Sequence, residues 1–160
     1  MVYAVIDTNV IVSALISKNE KSPVVEIVKR AYAGKFRVLV NNAILAEYGK
    51  VLRRPKFGLV LQQIVETLDL LAEISVNVDV PMSGTILPDP KDVVFYDVAL
   101  AHQDKHASLV TGNMKHFPNC FFAVTPREFL DRLELEELLD GNFAGFGQTL
   151  NDCRGWTRYC

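Results

Sequence analysis

The sequence predicts an α/β fold of three layers, a mostly parallel central sheet with helices on both faces. Short apolar runs rich in β-branched residues alternate along the chain with longer segments of helical periodicity. The first of these runs lacks polar alternation, as a strand buried on both faces should. A chain of 160 residues, 49% hydrophobic and 22% charged, is also long enough and apolar enough for one domain with a real core.

The elements follow in order. Val2 to Ile6 reads as a buried parallel strand ending at Asp7-Thr8-Asn9, and an apolar helical segment runs from Val10 to Ile16. After a polar loop, Ser22-Pro23 supplies an N-cap and a proline at the first helical position, opening a helix that stops at Gly34. Arg37 to Val40 is a second strand; Asn41 or Asn42 can cap a helix from about Ala43 to Arg54, which Pro55 ends. Leu61, Ile64, Val65, Leu68, Leu71 and Ala72 recur at helical spacing within a helix over Leu59–Ile74. Val76, Val78 and Val80 alternate with polar residues, the mark of a strand with one wet face at a sheet edge.

Pro81 to Lys91 is a Pro-, Gly- and Asp-bearing loop, followed by a helix from Asp92 to Gln103 and a strand from Ala107 to Thr111. Gly112 to Asn119 loops to a last strand, Phe121 to Val124. Thr125-Pro126-Arg127-Glu128 is a capping box that opens a helix through Leu133. Beyond Leu139 the periodicity is lost. The reading is one domain over residues 1–139 and an irregular tail over 140–160, either a flexible end or a docking segment carrying Phe143, Phe146 and Trp156.

Composition excludes several classes. No apolar run approaches the roughly 20 residues that span a bilayer. The opening Met-Val-Tyr-Ala-Val-Ile-Asp lacks the basic region of a secretory signal, so the cytoplasm is the expected compartment. Cys120, Cys153 and Cys160 are odd in number and widely spaced, which points to reduced thiols and not to a disulfide framework or a zinc site. Residues 1–132 carry 15 Lys and Arg against 14 Asp and Glu, too even a balance for binding nucleic acid by bulk charge. Such a substrate would need a local basic patch and bound cations.

Ligands in open α/β sheets gather beyond the carboxyl ends of the strands. Asp7 stands at one such end, Thr111 and Asn113 at another, Asp89 and Asp92 where a loop meets its helix, and Glu47 on the helix after the second strand. Each has a bland reading: Asp7 and Asp92 as helix caps, Glu47 and Asp97 as solvated helix residues. Together they present oxygen ligands toward one edge. Clustered carboxylates repel one another, and Mg²⁺ or Mn²⁺ relieves that repulsion. Lys50, Arg53, Arg54 and Lys56 follow Glu47 and read either as a phosphate-contacting rim or as cations suited to a helix end. His102, His106 and His116 have neither zinc-protease nor triad spacing, but Lys115 and His116 follow Asn113 in the loop of interest.

Four blocks carry a family resemblance: Val5-Ile6-Asp7-Thr8-Asn9-Val10; Ala46-Glu47 with Val51-Leu52-Arg53-Arg54-Pro55-Lys56-Phe57; Asp89-Pro90-Lys91-Asp92; and Leu109-Val110-Thr111-Gly112-Asn113 with Lys115-His116-Phe117-Pro118. In this order and spacing the chain resembles the PIN-domain nucleases over residues 2–130, especially the toxin components of prokaryotic toxin–antitoxin pairs. The resemblance implies a PIN-like α/β/α fold and an endoribonuclease dependent on Mg²⁺ or Mn²⁺ that hydrolyses RNA with a metal-activated water. It implies Asp7, Glu47 and Asp92 as metal-binding acids, and Asn9, Thr111, Asn113 and Asp97 as residues supporting them. Lys50, Arg53, Arg54 and Lys115 are the expected RNA contacts. An antitoxin and a second copy of the chain are the expected partners. Many members have aspartate where this chain has Asn113, which supplies no charge, so one firmly held cation is expected.

The sequence leaves two rivals open. A haloacid-dehalogenase-type phosphatase would use Asp7 as nucleophile, but Asn9 stands where its general acid belongs, and the acidic pair precedes the threonine strand instead of following it. Alternatively, Asn113 marks a weakened domain that binds RNA or protein without turnover.

Overall fold

The computed structural model describes the backbone of residues 1–152 and the side chains of residues 1–141. Five parallel strands, β1 (Tyr3–Ile6), β2 (Arg37–Val40), β3 (Ser75–Asn77), β4 (Ser108–Val110) and β5 (Ala123–Val124), form one sheet in the order β3-β2-β1-β4-β5. The helices are α1 (Thr8–Ile16), α2 (Pro23–Tyr32), α3 (Asn42–Leu52), α4 (Leu61–Ile74), α5 (Val93–Ala101) and α6 (Pro126–Asp152). The α/β class holds, and among the described strands every pairing is parallel.

The chain winds from β1 outward through β2 to β3, then crosses back to β4 on the other side of β1. Right-handed crossovers in opposite directions put their helices on opposite faces. Helix α2 accordingly packs with α4 and α6, whereas α5 lies against β1, β2 and β4. Between these layers Ala4, Val5, Ile6, Val38, Leu39, Val40, Leu109 and Val110 are all buried, which explains the unbroken apolar runs. Phe36 and Phe129 meet edge to face, with centroids 4.9 Å apart, and bind the end of α2 to α6.

Local signals mostly act as read. Asn41 caps α3, its Oδ1 accepting from the Ile44 N–H at 2.9 Å. The Thr125–Glu128 box is formed from both sides, at 3.3 and 2.7 Å. Ser22 sits at the N-cap of α2 ahead of Pro23, but its hydroxyl pairs with Ser17 at 3.3 Å and makes no cap bond.

Three differences have physical causes. The edge strand β3 stops at Asn77, because Val78 and Val80 turn inward and pack on the core instead of continuing the alternation. Helix α6 runs through Asp152, where an irregular segment was expected from residue 140; lost periodicity removes a packing face but not backbone hydrogen bonding, and Gly141 costs a helix only about 1 kcal/mol relative to alanine. The side chains of Phe143 and Phe146, and all of Cys153, Trp156 and Cys160, lie outside the described residues; Cys120 is free and buried. On α4, Leu61, Val65 and Leu70 remain exposed. Among the described residues no helix is long and apolar enough to cross a membrane.

Candidate functional site

The order β3-β2-β1-β4-β5 places a topological switch between β1 and β4, where ligand crevices form in open α/β sheets. Asp7 leaves the carboxyl end of β1 and Thr111 that of β4. The Asp7 N–H extends the sheet by donating to the Val110 carbonyl at 2.9 Å. A fully buried Thr111 hydroxyl donates to Asp7 Oδ2 at 2.7 Å. Although Asp7 occupies the N-cap position of α1, its carboxylate makes no capping bond. It is held sideways, across the switch point.

Asn9 completes this clasp. Its Nδ2 donates to Asp7 Oδ2 at 2.7 Å, and its Oδ1 accepts from the Gly112 N–H at 2.9 Å. A side chain at Gly112 would begin only 3.1 Å from Asn9 Oδ1, so the close approach favours glycine there. The Asn113 N–H donates to the Thr111 hydroxyl oxygen at 3.0 Å. From below, fully buried Tyr48 donates its hydroxyl to the Ile6 carbonyl, fixing the peptide that leads into Asp7.

Asp7, Glu47 and Asp92 all line one cavity of about 340 Å³. Burial raises the Asp7 carboxyl above its ordinary value, against the opposing effects of Thr111, nearby α1 N–H groups and His116. Asp92 is pushed up to about 6, first by burial and then by the charge of Asp7. Its Oδ2 is buried without an aligned donor. His116 Nδ1 lies 2.8 Å from that oxygen. This contact opposes the rise that burial imposes on the Asp92 carboxyl. A buried carboxylate oxygen short of a partner suits a hard cation. Glu47 is half-buried where it lines the same cavity. Among the described residues no three His, Cys, Asp or Glu side chains stand close enough to ligate one ion as they lie.

Helix phase sorts the remaining candidates. Lys50, three residues after Glu47 on α3, stands about 60° from its direction, while Arg54 lies past the end of that helix, in extended backbone ahead of the Pro55–Phe57 turn. Arg54 lines the cavity and Lys50 is exposed outside it. Arg53 turns back to donate to the Gly49 carbonyl of its own helix at 2.8 Å. Lys115 is exposed, and its neighbour His116 faces the cavity instead. Asp97 is turned away as well. Five residues after Asp92 it points about 140° round the helix, where it accepts from the Ser83 hydroxyl and, at 3.2 Å, from the Ser83 N–H. It anchors the loop before α5 and does not support the other acids. Asn113 contributes its backbone N–H to the clasp, and its side chain does not line the cavity. Sequence reasoning did not place Lys91 or Phe57 at the site, although both stand in the blocks that carried the resemblance.

A family model described as PIN domain matches residues 3–115. In structure the chain is similar to one in the crystal structure of VapBC2 from Rickettsia felis bound to a DNA fragment from their promoter. The identity is 20%, with 77% of this chain and 98% of that chain covered and a TM-score of 0.51. A search of curated proteins finds no match. The matched segment takes in every strand but β5, both halves of the Asp7–Thr111 clasp and the cavity-lining acids Asp7, Glu47, Asp89 and Asp92, and it spans well over half the chain, which belongs to the PIN domain family.

Proposed function

We propose that the chain is a divalent-metal-dependent endoribonuclease and the toxin of a toxin–antitoxin pair. The observation that carries the nuclease reading is the convergence of buried Asp7 and Asp92 with Glu47 on one cavity at the switch point of the sheet. Asp7 and Asp92 would hold Mg²⁺ or Mn²⁺, with Glu47 reaching it through water, since Mg²⁺ commonly keeps several waters. Bound there, the metal supplies Lewis-acid polarisation of a phosphate oxygen and a more acidic water.

The chain's own groups do the rest. Thr111 and Asn9 orient Asp7 by donating to it, and the Thr111 bond opposes the rise that burial imposes on its carboxyl. Arg54 and Lys91 line the same cavity and neutralise the phosphodiester as it enters. The apolar side of the cavity limits competing water. RNA as the substrate and an antitoxin as partner rest on the resemblance to the toxins; the structural likeness to the VapBC2 chain supports the fold on which they rest. A homodimer belongs to the same proposal.

Cleavage of single-stranded RNA by wild type, Asp7→Asn and Asp92→Asn, with and without Mn²⁺, tests the reading. Manganese-dependent cleavage by wild type alone is expected. Equal cleavage by all three proteins would remove these residues from the chemistry, and Mn²⁺ binding without any cleavage would favour the weakened RNA-binding module. Co-expression with the neighbouring gene tests the partner: a stable complex with suppressed cleavage is expected, and free, active protein would dismiss the antitoxin.

A further inference from the structure

The cavity has an apolar wall that the acids leave unused. Val12 and Ile16 of α1, Val51 of α3 and Phe57 of the tight turn Pro55–Phe57 form it. Val12 and Val51 are buried, but Ile16 is 46% exposed and Phe57 is half-buried, so apolar area remains for a ligand. Cations stand beside it. Arg54 lines the same cavity, and Lys56 Nζ lies 4.9 Å from the centre of the Phe57 ring.

The turn holds these groups in fixed relation. The Phe57 N–H donates to the Arg54 carbonyl at 3.1 Å, and the Gly58 N–H to Pro55 at 3.1 Å. Gly58 closes the turn at φ +63°, a conformation that favours glycine. Ring and guanidinium are thus set three residues apart, both facing the space in front of Glu47.

Carboxylates, cations, and aromatic and aliphatic side chains that line one cavity match the parts of one nucleotide. The phosphate suits the cations, and the planar base suits the wall. A base already paired and stacked in a duplex cannot enter, whereas an unpaired one can be splayed onto an aromatic ring. We propose that Phe57 and Ile16 form a nucleobase subsite that stacks one unpaired base of the RNA next to the phosphate being cleaved. The flanking Arg54, Lys56 and Lys91 favour a polyanion over an apolar protein segment on this wall. The proposal rests on the nuclease reading and adds to it a preference for single strands and a residue that enforces it.

The test uses the full chain in Ca²⁺, with a short fluorescein-labelled single-stranded oligoribonucleotide of mixed sequence as probe. Phe57→Leu keeps the packing of the turn and removes the ring; it should weaken binding about tenfold, the scale of one base–aromatic stack. Phe57→Trp, made in a Trp156→Phe background so that position 57 holds the chain's one tryptophan, should bind as wild type does, and its fluorescence should be quenched by the oligonucleotide but not by an abasic chain of equal length. Manganese affinity should be unchanged in both variants. If Phe57→Leu binds the probe as tightly as wild type, or the abasic chain quenches equally, the subsite is refuted while the nuclease reading stands. Fluorescence unmoved by saturating oligonucleotide would leave the wall to a protein side chain and overturn the proposal. If wild type binds neither Mn²⁺ nor RNA, both fall together.

Discussion

Replacing Asp92 by asparagine should stabilise the metal-free protein at neutral pH, although it removes a group from the candidate site. The Asp92 carboxyl titrates near 6 in the folded chain, against an ordinary value of 3.8. A raised folded value means that the fold prefers the protonated acid. Its stabilising effect is complete below about pH 4 and is lost as pH rises through 6. Each tenfold gain in proton affinity on folding is worth about 1.36 kcal/mol, so the ionised form costs up to roughly 3 kcal/mol at pH 7.5. Part of that cost belongs to repulsion with Asp7, and His116 offsets some of it. A gain of about 1–3 kcal/mol is expected for Asp92→Asn, or roughly 3–9 °C in Tm for a chain of this size. Thermal unfolding in EDTA between pH 4.5 and 8 measures it. The two proteins should unfold together at the acid end and diverge as pH rises, with the variant the more stable. Mn²⁺ should then reverse the order, since a ligand at a hundred times its Kd adds about 2.7 kcal/mol to the protein that binds it. A variant less stable than wild type in EDTA at pH 7.5, or a difference independent of pH, would refute the buried-charge argument.

Thr111→Val keeps the side-chain shape but leaves Asp7 Oδ2 without its buried donor; a loss of about 1–3 kcal/mol is expected in urea unfolding, with weaker Mn²⁺ binding in calorimetry. Ser83→Ala strips Asp97 of its hydroxyl donor and should cost about 1–3 kcal/mol of stability while leaving Mn²⁺ affinity unchanged; a large fall in Mn²⁺ affinity would place Asp97 at the site after all. Arg54→Ala should weaken RNA binding and lower the slope of log K against log salt by about 1, whereas Lys50→Ala should do neither; equal effects in filter binding would contradict the placement of Arg54 at the cavity and Lys50 outside it. Manganese affinity should fall as pH drops below about 6, because the proton that Asp92 regains competes with the metal.

The parts of this molecule legible in the sequence are those that the backbone decides. Asp7 and Thr111 had to emerge at strand ends, because apolar β-branched runs stop immediately before them, and parallel strands release their next residues at one common edge. Asn9 was legible as a supporting residue only through the resemblance, since one of its two bonds reaches Gly112, 103 positions away. Side-chain direction was much less visible. Lys50, Arg53 and Arg54 form one basic cluster in sequence, yet helix phase, the helix end and a carbonyl within reach send them three ways. Asp97 lies within two turns of Asp92 and belongs to a different contact, because a serine fourteen residues upstream captures it. The strand β3 ends sooner than the alternation of Val76, Val78 and Val80 implies: Val78 keeps one bond to β2, its N–H donating to the Val40 carbonyl at 2.8 Å, and Val80 packs on the core beyond it.

The bond between Asp7 and Thr111 joins positions 104 residues apart in the chain. A ribosome that has emitted only the segment up to Ala107 has already released Asp7, Glu47 and Asp92, but not the hydroxyl that holds the first of them, nor β4 against which its strand must pair. Contacts of such long sequence separation close late in folding. The nascent polypeptide therefore carries these acids unassembled past the exit tunnel, and whatever they do begins only once synthesis has passed the fourth strand.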